Sequence, residues 1–292
     1  MNLFLQQLVT GLSIGGIYAL LAVGYAMIYS IFKFTNFAFG AIMMCGAFAA
    51  YYVVVVLEMS IWLGLLASIL FSVFISIITE LFAYRPLRKK KATRLFLMIS
   101  AMGVNILITN LATILLGANV RKLSTPLSIG AIKIGNVVFG SLDIFSFSAT
   151  LITLVVLWIY IEKTRSGIAI RASAHDTGTA GLMGINVNRV SLIVFTISGI
   201  TAAIAGTFFG MKYAVYPAMA SFSNKAFISS VIGGLGSLPG AVLGGFILGI
   251  IETMVSGYIS TTFRDLFSFG IMVVVLVFFP NGLLGKNIKE KL

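Results

Sequence analysis

Apolar runs long enough to cross a lipid bilayer recur along the whole of this 292-residue sequence. A helix needs about 20 apolar residues to cross roughly 30 Å of hydrocarbon. Inside hydrocarbon every backbone amide and carbonyl must be paired within the protein, so only helices and closed barrels span a membrane. Runs of this length predict an all-α polytopic membrane protein. A soluble domain is excluded, because such domains carry about 25% charged residues and this chain carries 10%.

The apolar runs form about eight hydrophobic segments, and we interpret residues 1–292 as a single transmembrane domain. The seventh segment is long and rich in glycine, which disfavours one continuous helix, and we predict that it is broken or re-entrant. The predicted segments are residues 8–32, 37–57, 61–83, 95–117, 144–161, 190–213, 226–259 and 266–279.

Positive charge in the loops predicts the orientation, because cytoplasmic loops are rich in Lys and Arg. Loop 85–94 carries six basic residues and no acid, so we expect it to be cytoplasmic. Counting from it places the N-terminus outside and loop 163–189, with four more basic residues, inside. Loop 118–143 is then external, and its alternating pattern predicts a small β-hairpin. Orientation in a membrane accounts for the net charge of +12, and we expect no nucleic-acid partner.

The basic C-terminal tail should also lie inside, yet two plain spans after Tyr213 would leave it outside. A re-entrant hairpin restores the parity if residues 226–235 enter, residues 236–240 turn and residues 241–259 return. Non-helical backbone at membrane depth is tolerated only where protein or a wet cavity surrounds it. We therefore assign residues of this turn to a candidate translocation pathway, with glycine and proline as helix breakers. The tail lysines are Lys286, Lys289 and Lys291, and the turn residues are Gly236, Ser237, Pro239 and Gly240.

A second candidate pathway element, Asn36 with Gly40, lies between the first two segments. Gly40-Ala41 and Gly240-Ala241 both begin spans rich in small residues. Matching interrupted segments in two halves of a chain are typical of transporters with an inverted repeat, so such a repeat is one interpretation. Small residues at this spacing also favour ordinary helix packing, and the pattern alone does not separate the two.

The residues give little support for an enzyme. His175 and Cys45 are the single histidine and cysteine of the chain, and without a cluster at metal-ligand spacing we expect no metal and no cofactor. Among the acids, Glu80 is expected to snorkel or to pair with Arg85 or Arg88, whereas Glu252 leaves a proton relay open. The run 234–240 lacks the Lys-Ser/Thr of a Walker motif. ATP, if it drives this protein, must bind to another subunit.

Loop 163–189 is polar but internally patterned. It predicts a short helix over residues 168–183, with Gly184 in the left-handed position just beyond its end. A helix this short is marginal in water and needs a surface to dock on. The pattern is equally compatible with an ordinary surface loop.

Three motifs in order along the chain resemble the branched-chain amino acid permeases of ABC importers, the group often called LivH type. The first is the opening Gln6-Gln7-Leu8 with Gly15-Gly16-Ile17-Tyr18-Ala19-Leu20, followed by Asn36-Phe37-Ala38 and Gly40. The second is the cytoplasmic coupling segment, matched by Gly167, Arg171, Ala172, Ala174, Asp176, Ala180, Leu182, Gly184 and Ile185. The third is Lys225-Ala226-Phe227 with Gly233-Gly234-Leu235-Gly236-Ser237, Gly240-Ala241 and Gly244-Gly245.

The resemblance implies a permease subunit of an ATP-driven importer in the bacterial plasma (inner) membrane. It also implies two cytoplasmic ATP-binding subunits, a second related permease in a heterodimer, and a periplasmic or extracellular substrate-binding protein. By this resemblance the ATPase-coupling residues are Gly167, Arg171, Ala172, Asp176 and Gly184.

The sequence departs from the group at two positions, with Phe39 where the group often has His and His175 where it often has an acid. The substrate could also be urea or a short amide. From another class, a secondary transporter or channel stays open, although it needs buried ionisable groups, of which the sequence offers almost none.

Overall fold

The computed structural model describes residues 2–124, 132–134 and 137–285. Within these ranges the chain forms twelve α-helices and two short strands. Eight helical stretches are long and apolar enough to cross a membrane, which confirms the predicted number of hydrophobic segments and the all-α membrane class. The helices are α1 (Asn2–Phe32), α2 (Phe39–Tyr51), α3 (Ile61–Ile78), α4 (Arg85–Lys89), α5 (Arg94–Leu116), α6 (Ser141–Lys163), α7 (Arg165–His175), α8 (Thr177–Leu182), α9 (Val187–Lys212), α10 (Ser223–Gly233), α11 (Leu238–Tyr258) and α12 (Arg264–Phe278).

Helix α1 lies at the centre of the bundle and packs antiparallel against α11. The backbones approach closely because glycines face each other. A Cβ on Gly249 would lie 2.3 Å from Gly15 Cα, and one on Gly245 would lie 2.4 Å from the Ala19 nitrogen. Without a hydrophobic driving force in lipid, such close packing is a main source of helix association. The apolar stripe of α1 is therefore buried in protein rather than exposed to lipid.

Helices α3, α5, α6 and α12 form the outer layer. They expose large apolar side chains, such as Trp62 (63% exposed), Ile114 (78%) and Phe278 (73%). A soluble surface seldom carries contiguous apolar patches of this kind, whereas lipid tails favour them. Helix α3 continues through a π-helical stretch, Thr79–Tyr84, into α4, so most of the predicted loop 85–94 is helical and only residues 90–93 are not.

The predicted seventh segment consists of two helices, α10 and α11, joined by residues 234–237. Pro239 and Gly240 do not form the turn. They belong to the first turn of α11, where proline is tolerated because the backbone N–H at that position has no acceptor within the helix. Ser237 caps α11, since its hydroxyl accepts a hydrogen bond from the Gly240 amide at 3.3 Å. The break itself comes from Gly234 and Gly236, which have φ of 112° and 86°.

Several chain segments converge at one end of the bundle, which we call the basic end: the end of α1, helix α4, helices α7 and α8, and the turn 234–237. A Cβ on Gly236 would lie 3.5 Å from Ser30 Cα. The chain after α12 returns to the same place, where the Leu283 amide donates to the Ile232 carbonyl at 2.9 Å. The tail lysines Lys286, Lys289 and Lys291 lie outside the described residues.

Between α5 and α6, strands β1 (Ile132–Ile134) and β2 (Val137–Phe139) pair antiparallel, with Ile132 opposite Phe139. The predicted hairpin in loop 118–143 is thereby confirmed. It lies at the end of the bundle away from the basic end, because it follows α5 outward and precedes α6.

Candidate functional site

Residues 33–38 turn the chain back into the body of the protein before α2 begins. The ring of Phe39, the first residue of α2, packs against Tyr25 with centroids 5.0 Å apart. Since α1 continues to Phe32, α2 begins about 10 Å inside the end of α1. Asn36 holds this segment: its Oδ1 accepts hydrogen bonds from the Tyr84 hydroxyl at 2.6 Å and from the Ala38 amide at 3.1 Å.

Residues 213–222 produce the matching break on the other side of the bundle, between α9 and α10. The ring of Phe227 in α10 lies 6.4 Å from Tyr25, again within the length of α1. The N-termini of α2 and α10 meet there, because a Cβ on Gly40 would lie 2.0 Å from the Ala220 carbonyl oxygen and 2.6 Å from Ser223 Oγ. We call this meeting point the α2–α10 junction.

The junction combines two helix N-termini with a polar side chain. Helix α2 follows Ala38 and helix α10 follows Phe222, and neither residue caps its helix with a side chain. The Ser223 amide at the start of α10 donates to the Ala220 carbonyl of the preceding 3-10 helix, Pro217–Phe222. The N-terminus of a helix carries partial positive charge through the helix dipole and favours an anion. Asn36 is 1% exposed, and its Nδ2 has no hydrogen-bond partner among the described residues. Half-helix N-termini within the membrane are a typical substrate site of transporters.

A buried ionic network next to this junction was not predicted. Lys225 Nζ of α10 lies 2.5 Å from Glu252 Oε1 of α11 and 2.5 Å from Asp265 Oδ1. The hydroxyls of Tyr18 and Ser268 donate to Glu252 at 2.8 Å and 2.5 Å. The available signals were Glu252 inside the seventh segment and Lys225 directly before it. The sequence does not show that the two lie side by side, because 26 residues separate them. The expectation of almost no buried ionisable groups was therefore wrong.

Glu80 is the second buried carboxylate, and its expected pairing is confirmed. Its Oε1 accepts from Arg88 in a short ion pair and lies 3.7 Å from Arg85 Nε. Both carboxylates thus have positive partners, which is the condition under which charges persist in a membrane interior. The Glu252 network joins separate helices, whereas the Glu80 pairs lie within the continuous stretch from α3 to α4.

The four predicted turn residues lie elsewhere. Gly236 and Ser237 are at the basic end beside Tyr29 and Ser30, and Pro239 is exposed. The structure therefore does not bring them together with Asn36 and Gly40. Gly40 and Gly240 do not share a site. Gly240 packs against Gly233, since a Cβ on Gly240 would lie 2.2 Å from the Gly233 carbonyl oxygen.

Loop 163–189 folds into two helices instead of the single predicted one. Asp176 ends α7 and caps α8, because its extended backbone (φ −156°, ψ 117°) breaks the helix and its Oδ1 accepts from the Thr179 amide at 2.8 Å. This hydrogen bond, the largest influence, lowers the pKa of the Asp176 carboxyl. Gly184 has φ +84°, as predicted for the left-handed position after the helix.

Arg171 and Gly167 fasten α7 to the end of α6. Arg171 Nη1 donates to the Ile161 carbonyl at 2.5 Å and to Glu162 Oε2 at 2.9 Å. A Cβ on Gly167 would lie 2.0 Å from the same Ile161 oxygen, so only glycine fits this corner. Ala172 is partly buried on the same helix. These residues give α7 a fixed angle to the membrane spans.

Beyond this fixed corner, α8 presents an apolar tip away from the bundle. Leu182 is 89% exposed and Met183 is 79% exposed. They lie at the end of α8 and directly after it, outside the eight candidate spans. Two adjacent large apolar side chains exposed outside the spans form a candidate protein contact.

The sequence matches the family model described as branched-chain amino acid transport system / permease component over residues 7–276. The chain is 36% identical to the high-affinity branched-chain amino acid transport system permease protein LivH of Salmonella typhimurium, over 99% of this chain and 97% of that protein. It is 35% identical to the corresponding protein BraD of Pseudomonas aeruginosa, over 99% and 98%. Among solved structures, a transporter described as of the metal-chelate ABC type, in an inward-facing conformation, matches with TM-score 0.54 and 16% identity over 92% of this chain and 85% of that one. This last likeness concerns the fold alone.

Proposed function

Because the chain belongs to the branched-chain amino acid transport permease family, we propose that it is the transmembrane permease subunit of an ATP-driven ABC importer for branched-chain amino acids in the bacterial plasma (inner) membrane. It is not itself an enzyme. Two ATP-binding subunits bind and hydrolyse ATP at the basic end, and a periplasmic or extracellular substrate-binding protein delivers the solute at the other. A second, related permease completes the pathway as a heterodimer.

The observation that carries this proposal is the apolar tip of α8 on its rigid support. Leu182 and Met183 are the most exposed large apolar side chains of the coupling loop, and a docking cleft on the ATP-binding subunit would bury them. Arg171 and Gly167 fasten α7 to α6, so a displacement of α8 is transmitted to the spans instead of being lost in a flexible loop. The coupling residues predicted from the sequence thus act mainly on the rigidity of this support.

The translocation pathway runs past the α2–α10 junction. Uncapped helix N-termini there favour the carboxylate of an amino acid, and the surrounding rings of Tyr25, Phe39 and Phe227 suit a branched apolar side chain. Asn36 supplies an unused amide donor. Gly236 and Ser237 in the turn 234–237, with Pro239 and Gly240 in the first turn of α11, take part at the inner mouth of the pathway.

ATP acts on this pathway through differential affinity. A partner shifts a conformational equilibrium only as far as it binds one state better than the other. The closed ATP-bound pair of subunits holds the two coupling loops of a permease pair closer together than the open pair does. The state of the permease in which the α8 tips are close is therefore favoured by ATP, and hydrolysis removes that preference.

The test is ATP-driven uptake by the reconstituted importer in vesicles. Leu182→Ser with Met183→Ser should abolish co-purification of the ATP-binding subunits and reduce leucine uptake at least tenfold. The matched control is Leu243→Ser, an exposed leucine outside the coupling loop, which should retain co-purification. Uptake of leucine, isoleucine and valine, with no uptake of urea or acetamide, is expected. Normal uptake by the double variant refutes the docking role, and uptake of urea alone refutes the substrate.

A further inference from the structure

A cavity of about 610 Å³ opens at the basic end between the end of α1, helix α4, the start of α5 and the end of α7. It is separate from the α2–α10 junction and from the α8 tip. Five cations line it: Lys33, Arg85, Arg88, Lys89 and Arg94. Basic cavities between helices at the cytoplasmic boundary are suited to anionic lipid headgroups.

The positive charge of the cavity is only partly neutralised. Glu80 pairs with two of the arginines, and Asp176 is the one acid among the residues that line the cavity. Lys33 shows the consequence of this crowding. Its pKa is lowered by burial and then by the positive charge of Arg94, and its backbone adopts φ 54°, which few residues other than glycine do. The cluster is arranged for a negative charge from outside the described chain.

Unused hydrogen-bond donors give an independent sign of a ligand. Ser173 lines the cavity, is 0% exposed, and its hydroxyl has no hydrogen-bond partner among the described residues. The Nε atom of Arg88 is likewise buried without a hydrogen bond. Buried donors normally have a hydrogen-bond acceptor, so buried donors without one need an explanation.

The geometry points to a binding site for a phosphate group in this cavity, and we propose that the phosphate is the headgroup of an anionic phospholipid such as phosphatidylglycerol. Arginine forks and lysines are the side chains that bind phosphate best. The adjacent surface is apolar and faces lipid: Phe82 is 78% exposed, Leu95 62% and Phe96 56%. A lipid seated there would keep its acyl chains against these side chains and its phosphate among the cations. Soluble phosphate shares the chemistry but gains nothing from the apolar rim.

The experiment measures lipid binding to the full-length protein in neutral detergent, by native mass spectrometry and by thermal stability. The probes are phosphatidylglycerol, phosphatidylcholine and inorganic phosphate. The double variant Lys33→Gln with Arg94→Gln removes two cations that have no ion-pair partner among the described residues, so Glu80 keeps both arginines and folding is preserved. It should bind phosphatidylglycerol about 30-fold more weakly, since each basic residue near a membrane surface contributes roughly fivefold.

Lys90→Gln is the control, because Lys90 is exposed beside α4 and does not line the cavity; it should bind as the unaltered protein does. Stabilisation by phosphatidylglycerol but not by phosphatidylcholine or phosphate identifies the lipid, and equal stabilisation by inorganic phosphate identifies a soluble phosphate in the same site. Equal affinity for phosphatidylglycerol in all three proteins overturns the proposal. So does a double variant that retains the lipid but loses the ATP-binding subunits, because the cavity is then a protein contact.

Discussion

Two buried carboxylates show how single residues keep charge inside this membrane bundle. Glu252 accepts from Lys225, Tyr18 and Ser268, which lie on three other helices. Burial of an ion costs several kcal/mol unless a partner and further hydrogen bonds offset it. Here one carboxylate joins α1, α10, α11 and α12. The network therefore fixes the position of α10, whose N-terminus forms half of the α2–α10 junction.

Replacement of Glu252 by alanine should destabilise the protein by about 3 kcal/mol, the lower part of the range for breaking a buried pair, because Asp265 still faces Lys225. Thermal unfolding in detergent measures this. The matched control is Asp265→Ala, whose side chain is 74% exposed and whose loss should cost under about 1 kcal/mol. Equal effects of the two substitutions would contradict the assigned roles.

Asp176 leads to a prediction about pH. Its pKa is lowered by the Thr179 amide, so its contribution to folding is complete above the unfolded value near 3.9 and is lost only as the pH falls through the lower folded pKa. Between pH 5 and 8 it stays ionised. Asp176→Asn, which retains the capping oxygen, should leave the pH profile of ATP-driven uptake unchanged in that range. A shifted profile would show that this carboxylate titrates during transport.

At the scale of elements, the contact between α1 and α11 depends on missing side chains. Gly245→Ala places a methyl 2.4 Å from the Ala19 nitrogen, and overpacking of this kind costs about 1–3 kcal/mol. Gly103→Ala in α5 is the control, because nothing lies within 4 Å of its Cβ. It should stabilise by up to about 1 kcal/mol through helix propensity. Unfolding midpoints that fall equally in both variants would refute close packing as the cause.

The helices were predictable from the sequence to the extent that hydrocarbon requires long apolar runs. Hydropathy located all eight spans, and charge located the basic end. Residues 33–36 and 214–225 fell between the predicted segments, and Asn36 with Gly40 was a predicted pathway element. Hydropathy could not show that the two breaks lie within the length of α1 and meet, because Phe34, Val215 and Met219 are buried in protein although they do not belong to α-helices. Burial by neighbouring protein, which a sequence pattern does not record, permits that backbone. The break at Asp176 was missed for the opposite reason: a side-chain cap outweighed a continuous helical pattern.

At the scale of the molecule, the two halves share one arrangement with opposite directions. A long helix, α1 or α9, leads into an irregular segment, and a helix then begins within the length of α1: α2 runs away from the basic end and α10 runs towards it. This supports an inverted repeat, with α1–α2 matched to α9–α10 and not Gly40 to Gly240. A site between such halves can open to either side by small movements of one half against the other.

The same arrangement predicts which ends of the chain share a side of the membrane. Because α10 spans only part of the bundle, the turn 234–237 and the segment after α12 lie at the basic end, as the Leu283–Ile232 hydrogen bond shows. A cysteine at Leu235 should resist an impermeant maleimide added to intact cells and react after permeabilisation. A cysteine at Lys122, exposed beyond α5, should react from outside. Cys45 is buried and should stay silent in both. If both positions were labelled from outside, the N-terminal end of α11 would lie on the same side of the membrane as Lys122. That result would contradict the placement of the turn 234–237 at the basic end.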